Sequence, residues 1–148
     1  MLKVQKILCP TDFSEFGEHA LRYACELAEK FQAEVHLLNV LQDYDAIAPG
    51  TGETFAPFTE WLPELRKQSE EQLAKLPGPE WTGKLRVLRT TSVGAPVDEI
   101  TKYAKAHQID LIVQGTHGRR GVKHMLLGSV AENIVRYAPC PVLTVRKS

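Results

Sequence analysis

Residues 6–31 read KILCPTDFSEFGEHALRYACELAEKF, and this stretch sets a pattern that the rest of the chain repeats. Residues 6–9 form a short, largely apolar run that Pro10 stops, and behind it apolar residues recur at helical spacing. The residues of that helical stripe are Ala20, Leu21, Ala24, Cys25, Leu27, Ala28 and Phe31. The pattern predicts a strand followed by a helix, with Ser14 as the N-cap of the helix.

The same alternation of strand and helix continues to the end of the chain. Apolar runs, helical stripes and turn residues predict, in order, a strand at 35–41, a helix at 60–76, a strand at 85–93, a helix after Gly94-Ala95-Pro96, a strand at 111–114, a helix from Ser129 and a strand at 142–145. Parallel strands need long connections, and these crossover connections are almost always right-handed. The sequence therefore predicts a doubly wound α/β fold, in which helices cover both faces of a parallel sheet.

Residues 1–148 are expected to form one domain, because no internal repeat or low-complexity tract divides the chain. Residues 42–59 contain two prolines and two glycines without clear periodicity, and we expect them to form a loop inserted in that domain. Loops of this length are often functional.

The charges of the chain are balanced, since it has 18 Lys and Arg residues and 18 Asp and Glu residues. No long-range field attracts nucleic acid or an anionic membrane, so neither is an expected partner. The cysteines Cys9, Cys25 and Cys140 are odd in number and widely spaced, which favours reduced thiols over a disulfide framework. Because the chain also lacks an apolar run of about 18 residues, we expect a soluble, cytoplasmic protein.

A glycine-rich segment at residues 115–129 leads from the fourth predicted strand into the last predicted helix and reads GTHGRRGVKHMLLGS. Glycine lets the main chain turn sharply and approach a ligand, and free N–H groups at a helix start point towards anions. The segment is therefore predicted to hold phosphates. Thr116 and Ser129 add hydroxyl groups, although Ser129 can instead cap the helix. Four basic residues either add positive charge to the site or form a solvated loop: Arg119, Arg120, Lys123 and His124.

A second candidate region, Pro10-Thr11-Asp12, follows the first strand. In open α/β sheets, ligands lie beyond the carboxyl ends of strands where the strand order reverses, and the first and fourth strands would flank that point. We expect Asp12 to accept hydrogen bonds from a ribose or an adenine amino group, or to face a phosphate-bound Mg²⁺. Its alternative role is a cap for the first helix.

The spacing Gly115-x2-Gly118-x9-Gly128-Ser129 resembles the nucleotide-binding pattern of the universal stress protein family. Residues 7–14, the Gly94-Ala95-Pro96 turn and residues 139–145 resemble the family as well, so the resemblance spans nearly the whole chain. It implies a Rossmann-like, five-stranded parallel sheet in the order 3-2-1-4-5, of the adenine nucleotide alpha hydrolase type. It also implies the branch of the family that binds ATP, together with Mg²⁺, and a role in the stress response.

The two candidate regions and the resemblance together give a set of predicted nucleotide-binding residues, which lie at strand ends or at the start of the last helix: Pro10, Thr11, Asp12, Val40, Gly115, Thr116, Gly118, Gly128, Ser129 and Val130. The resemblance implies roles for seven of them. In this set the glycines and Ser129 would contact ribose and phosphates, and Val130 would add a backbone N–H. Asp12 would lie near the nucleoside, and Val40 would offer main-chain groups to adenine.

The last predicted strand, Val142-Leu143-Thr144-Val145, would lie at an edge of the sheet. An exposed apolar edge is unfavourable unless another strand pairs with it or something covers it. The resemblance implies antiparallel pairing of this strand with the same strand of a second chain. We therefore expect a twofold homodimer.

The sequence favours a binding module over an efficient enzyme. It lacks a Gly-x4-Gly-Lys-Ser/Thr phosphate loop, and Asp12 and His117 are the evident candidates for hydrolysis, so we assign no catalytic residue and expect slow hydrolysis at most. The histidines and cysteines show no metal-ligand spacing, so no side-chain metal site is predicted. Two alternatives stay open: a true ATPase or nucleotidyl transferase acting through His117 or Asp12, and a nucleotide-free dimeric interaction protein.

Overall fold

The computed structural model describes residues 2–42, 58–118 and 127–147 of the chain. Over these residues strands and helices alternate in the order β1 (Lys6–Pro10), α1 (Glu15–Phe31), β2 (Glu34–Leu41), α2 (Phe58–Ala74), β3 (Val87–Val93), α3 (Pro96–Ala106), β4 (Leu111–Gly115), α4 (Ser129–Tyr137) and β5 (Val142–Val145). A short 3-10 helix at Pro79–Trp81 lies between α2 and β3. The predicted alternation of strand and helix is confirmed.

The strands form one parallel sheet in the order β3-β2-β1-β4-β5. The doubly wound α/β class and the strand order implied by the family resemblance are both confirmed. The strand order reverses at β1, where Ile7 lies between Val35 of β2 and Leu111 of β4. The carboxyl ends of β1 and β4 therefore flank the switch point at which this class of sheet binds ligands.

Helices cover both faces of the sheet, so the central strand is buried completely. In β1, Ile7, Leu8 and Cys9 have no exposed surface. Ile7 and Cys9 belong to an apolar cluster with α1 and with Leu73 of α2, whereas Leu8 belongs to a second cluster with α3 and with Ile134 of α4. Burial on both faces is the reason that residues 7–9 of the central strand form a continuous apolar run.

Helix α1 begins where the sequence predicts. The Oγ of Ser14 accepts a hydrogen bond from the N–H of Gly17 at 3.3 Å, which confirms Ser14 as the N-cap. At the other end, Gln32 is left-handed with φ 56°, and its N–H donates to the carbonyl of Ala28. The position of the first turn of α1 is therefore fixed relative to the end of β1.

Several predicted boundaries differ from the structure by one or two residues. Helix α2 begins at Phe58 rather than Glu60, because Phe58 is buried and extends the apolar stripe of the helix by a turn. Strand β3 begins at Val87 rather than Leu85, because Val87 is the first of its residues that lies opposite a residue of β2, namely Val35.

Parts of two predicted features lie outside the described residues. These are residues 43–57 of the inserted loop and residues 119–126 of the glycine-rich segment, which include all four of its basic residues: Arg119, Arg120, Lys123 and His124. Among the helices that are described, none combines the length and the apolar character that crossing a membrane requires.

Candidate functional site

The turn between β1 and α1 is fixed by hydrogen bonds to its own side chains. The Oγ1 of Thr11 accepts from the N–H of Phe13 at 3.1 Å, and the Oδ1 of Asp12 accepts from the N–H of Ser14 at 2.9 Å. The N–H of Thr11 donates to the carbonyl of Leu38 in β2 at 2.9 Å. Phe13 has φ 65°, a left-handed conformation that few non-glycine residues adopt. The turn therefore holds Asp12 in one orientation beyond the end of β1.

Asp12 lies against the first part of the glycine-rich segment. A Cβ atom on Gly118 would be 2.8 Å from the Oδ2 of Asp12, which is closer than real side-chain contacts allow. The absence of a side chain at Gly118 lets the backbone pass this close to the carboxylate. The two predicted regions therefore meet at the switch point. The alternative role of Asp12 as the helix cap is wrong, because Ser14 occupies the cap position.

Gly115, at the end of β4, is needed for packing. A Cβ atom at this position would be 2.8 Å from the carbonyl oxygen of Phe16 and 3.0 Å from its Cβ. These atoms belong to the first turn of α1, which is capped by Ser14, so no movement of a flexible side chain relieves the clash. The sequence interpretation assigned Gly115 to ligand contact alone, because periodicity does not show how closely a helix approaches a strand.

The glycine-rich segment returns to the sheet at Gly128. Its N–H donates to the carbonyl of Thr116 at 2.7 Å, which closes the connection between β4 and α4. Gly128 is the N-cap residue of α4, and Ser129 is the first helical residue. Of the two roles left open for Ser129, helix capping is therefore wrong. Ser129 and Val130 are exposed, and the N–H groups of a first helical turn have no partner within the helix, so this position suits an anion.

His117 fills the space between α1 and the start of α4. Its ring centroid lies 5.5 Å from that of Phe16, and a Cβ on Gly128 would be 3.7 Å from its Cδ2. Its Nδ1 lies 3.1 Å from the Oγ1 of Thr116, so the predicted hydroxyl donor at Thr116 is directed at this ring. The Nε2 of His117 is buried and has no hydrogen-bond partner within the described ranges. Such an atom marks a place where a ligand or a water can supply the missing bond.

Val40 lies near the end of β2, on the strand next to β1. Strand β1 ends at Pro10, opposite Leu38, so β2 continues past it and Val40 borders the space beyond the end of β1. The side chain of Val40 packs against the apolar cluster under α3 and α4. Its neighbour in β3, Ser92, has a buried Oγ for which the described residues provide no hydrogen-bond partner.

Comparison with known proteins identifies the family. The model of the universal stress protein family matches residues 3–146. The chain belongs to the universal stress protein family. A universal stress protein of Methanocaldococcus jannaschii is 36% identical over 146 residues, which cover 97% of this chain and 82% of that protein. The family resemblance inferred from the glycine spacing is confirmed.

Solved structures of universal stress proteins have the same fold. UspA from Lactobacillus plantarum has a TM-score of 0.80 and 26% sequence identity, and the match covers 97% of this chain and 99% of UspA. A universal stress protein in complex with cAMP has a TM-score of 0.68 and 23% identity, covering 99% of both chains. At that identity the second likeness shows the fold alone.

Behind the Thr11 turn, this universal stress protein has a buried polar network that the sequence interpretation missed. The Nδ2 of Asn39 donates to the carbonyl of Thr11 at 2.8 Å, and the Oγ of Ser69 in α2 donates to the Oδ1 of Asn39 at 2.9 Å. The Oγ of Ser69 also lies 2.7 Å from the Oγ1 of Thr91 in β3. The available signal was a serine within the apolar stripe of a helix, where a polar residue needs a partner.

A second polar cluster lies at the opposite end of the sheet, where β2 begins. Both ring nitrogens of buried His36 have partners: Nδ1 is 2.6 Å from the hydroxyl of Tyr103, and Nε2 is 2.8 Å from the Oε1 of Glu34. His107 stacks on Tyr103 at a centroid distance of 4.0 Å. The hydrogen bond from His36 lowers the pKa of Glu34, and burial raises the pKa of Tyr103. Because His36 is satisfied by protein groups, this cluster is better explained as structural than as a site.

The three cysteines of this universal stress protein are protonated thiols at neutral pH. Burial raises the pKa of Cys25 to about 12 and raises the pKa of Cys9 well above its usual range. Burial also raises the pKa of half-buried Cys140. Thiols of this kind are poor nucleophiles and poor metal ligands. In residues 2–42, 58–118 and 127–147, no group of three or more His, Cys, Asp or Glu side chains is arranged to hold a metal ion.

Proposed function

We propose that this universal stress protein binds ATP, or a related adenine nucleotide, at the carboxyl ends of β1, β2 and β4. The observation that carries the proposal is the close approach of Gly118 to the Asp12 carboxylate. Two residues before Gly118, the carbonyl of Thr116 accepts a hydrogen bond from Gly128, the N-cap of α4, so the start of this helix lies at the same place. A carboxylate suits ribose hydroxyls, and a helix start suits phosphates. Both parts of a nucleotide thus have complementary groups at one switch point.

The nucleoside half of the ligand lies against the end of β1 in this proposal. Asp12 accepts hydrogen bonds from the ribose or the adenine amino group, with its orientation set by the bond between its Oδ1 and the N–H of Ser14. Pro10 and Thr11 form the adjoining wall, and the main chain of Val40 contacts the adenine edge. The direction of each group is set by backbone and turn geometry rather than by long flexible side chains.

The phosphate half of the ligand lies at the start of α4. Gly118 and Gly128 let the backbone approach the phosphates, and Ser129 and Val130 donate from the first turn of the helix. Gly115 and Thr116 act through the geometry of the loop. The absence of a side chain at Gly115 lets α1 pack close to β4. The carbonyl of Thr116 accepts the hydrogen bond from Gly128 that joins the two ends of the loop.

We propose that Mg²⁺ accompanies ATP. This ion keeps several of its waters and is held through one or two carboxylates together with phosphate oxygens, so it does not need a cage of protein ligands. The carboxylate of Asp12 would fill such a role, directly or through water, in the alternative arrangement in which it faces the phosphates instead of the nucleoside. The ion would offset the charge of the phosphates.

Within the stress response, ATP is proposed to act as a regulatory ligand that is hydrolysed slowly at most. An efficient hydrolase needs a base or a metal-bound water in reach of the terminal phosphate. Asp12 already accepts a backbone hydrogen bond, and the ring of His117 is packed against Phe16. The rival proposal, an ATPase or nucleotidyl transferase, rests on the unpartnered Nε2 of His117.

Titration calorimetry with ATP, with and without Mg²⁺, tests the binding proposal, and GTP is the matched control. We expect ATP to bind and GTP to bind more weakly, because the adenine contact at Val40 is to a specific base edge. Mass spectrometry of the denatured purified protein would show any nucleotide that co-purifies. Lack of all nucleotide binding would leave the nucleotide-free interaction protein.

Single-turnover hydrolysis separates the regulatory proposal from the ATPase. We expect the slow rate of the wild-type protein to be unchanged within a few-fold in His117→Ala under saturating ATP. A dedicated general base contributes roughly 10²–10⁴-fold, so a loss of that size would favour the ATPase. Asp12→Ala is measured in parallel, with its affinity determined first.

A cytoplasmic homodimer through β5 completes the proposal. Strand β5 is an edge strand, and Leu143 on it is 38% exposed, while Val135 and Tyr137 of the adjacent α4 are exposed as well. Pairing with the β5 of a second chain would cover this apolar surface. Leu143→Pro removes the N–H that faces β4 and so disrupts the edge strand, and we expect monomers or insoluble protein by light scattering. A well-behaved dimer of this variant contradicts the assignment.

A further inference from the structure

Helix α2 is held to the sheet by an apolar stripe that contains one serine. Phe58, Leu62, Leu65, Ser69 and Leu73 recur every three or four residues and face the sheet, and of the 17 residues of the helix only Phe58, Ser69 and Leu73 are buried. Ser69 is 3% exposed. A helix with so few buried residues depends strongly on each contact, and here the central contact is polar.

The hydrogen bonds of Ser69 have a defined direction. Its one hydroxyl proton is donated to the Oδ1 of Asn39, which is an acceptor only, so the bond with Thr91 must be donated by Thr91. Asn39 in turn donates from Nδ2 to the carbonyl of Thr11. The chain of donors thus runs from β3 through α2 and β2 to the end of β1. Thr91 lies at its start and contributes no bond to Asn39 or Thr11.

The last bond of this chain fixes the peptide unit that precedes Asp12. Because a peptide is planar, holding the carbonyl of Thr11 also sets the direction of the Asp12 N–H and of the turn that follows. That turn places the Asp12 carboxylate 2.8 Å from where a Cβ of Gly118 would be. A displacement of the Thr11 carbonyl by a few tenths of an ångström would therefore also displace the Asp12 carboxylate in the candidate site.

We infer that Asn39 and Ser69 are positioning residues of the nucleotide site, and that through them nucleotide occupancy is coupled to the docking of helix α2. The inference rests on the proposed function. Asn39 and Ser69 are buried, and they act on the site through the hydrogen bond that orients the Thr11–Asp12 peptide. Coupling is reciprocal, so a nucleotide that needs this peptide orientation must also stabilise α2 on the sheet.

Calorimetric affinity for ATP is measured in Ser69→Ala and in Thr91→Val, which each remove one hydroxyl from the network. We expect Ser69→Ala to weaken ATP binding about fivefold to tenfold, because the Asn39 amide loses the donor that orients it. Thr91→Val keeps the bond from Ser69 to Asn39, so its affinity should stay within about twofold of wild type. Ser69→Thr retains the hydroxyl and should restore most of the affinity.

Amide hydrogen exchange of residues 58–74 supplies the second readout. In the wild-type protein, saturating ATP should slow exchange in α2, and in Ser69→Ala this slowing should be lost although ATP still saturates the protein. Equal slowing in both proteins, or equal ATP affinity in Ser69→Ala and Thr91→Val, would overturn the inference while leaving the proposed function intact. Failure of the wild-type protein to bind ATP would overturn both.

Discussion

The two ends of the sheet are both polar, but they satisfy their polar groups in different ways. At the amino end, His36 has a protein partner on each ring nitrogen, and Glu34 and Tyr103 are those partners. At the carboxyl end, the Nε2 of His117 is buried without a partner among the described residues, although its ring contacts Phe16 and its Nδ1 lies near the Oγ1 of Thr116. The amino end is a closed network, and the carboxyl end lacks bonds that a ligand would supply.

This difference shows that a count of titratable residues does not locate a site. The amino end has the denser set of ionisable side chains, with a carboxylate, two imidazoles and a phenol in mutual contact. Since its hydrogen bonds are complete, it has little to offer a ligand. The carboxyl end has fewer ionisable groups but a close-approach glycine and a helix start, which are the features that anion binding needs.

The largest expected effect is that of Gly115→Ala at the carboxyl end. The new methyl group would be 2.8 Å from the Phe16 carbonyl oxygen, and relieving this overlap requires α1 to move from β4. We expect a loss of about 3 kcal/mol in the free energy of unfolding in urea.

Gly83→Ala is the control for this variant. Gly83 has φ 79° and no atom within 4 Å of an added Cβ, so its cost comes from backbone conformation alone, about 1 kcal/mol. If both variants lose the same stability, the close packing of Gly115 on α1 is not the reason for this glycine.

Gly118→Ala should change binding more than stability. Its methyl group would overlap the Oδ2 of half-buried Asp12, but Gly118 itself is exposed, so its loop can shift without moving a helix or a strand. We expect ATP affinity to fall about tenfold, equivalent to about 1.4 kcal/mol, with a smaller change in melting temperature. Unaltered affinity measured by calorimetry would remove Asp12 and Gly118 from the site.

Glu34→Gln tests the amino end, where we expect a small stability effect and no change in ATP affinity. The pKa of Glu34 is lowered in the folded protein by the hydrogen bond from His36. Its carboxylate therefore adds stability above the ordinary carboxyl pKa, and this contribution is lost as the pH falls through the lowered folded value. The wild type should exceed the variant at pH 7 by about 0.5–1 kcal/mol, the net value of one hydrogen bond. The difference should shrink as the pH falls below the ordinary carboxyl pKa and vanish below the lowered folded pKa.

Urea unfolding across that pH range measures the difference. A gap between the two proteins that grows on acidification would contradict the sign given by the lowered pKa. A change in ATP affinity in Glu34→Gln would contradict the separation of the two ends.

The smallest expected effect is in thiol labelling, where we expect no reaction of the two buried thiols in the native protein. Because burial raises the pKa of Cys9 and Cys25, we expect neither to react with iodoacetamide at pH 7.5 in the native protein. Peptide mass spectrometry after labelling, with a urea-unfolded sample as control, gives the extent. Rapid native labelling of Cys25 would show that the α1 side of the core opens.

The sequence by itself determined the order of the elements, the class of the sheet and the family. Helices alternate with short apolar runs such as residues 7–9 along the sequence. Because helices then cover both faces of the sheet, such runs form central strands of a parallel sheet. The spacing of Gly115, Gly118 and Gly128 identified the family because each position is fixed by the path of the backbone.

Only the tertiary structure decided what individual residues do. Gly115 contacts Phe16, and Ser69 bonds to Asn39 across 30 positions of sequence. The helix cap that the sequence left open at Ser129 belongs to Gly128. Local patterns record which face a residue presents, but not how close a neighbouring element comes. Distances between elements far apart in sequence exist only once the chain has packed, and the candidate site is made of such distances.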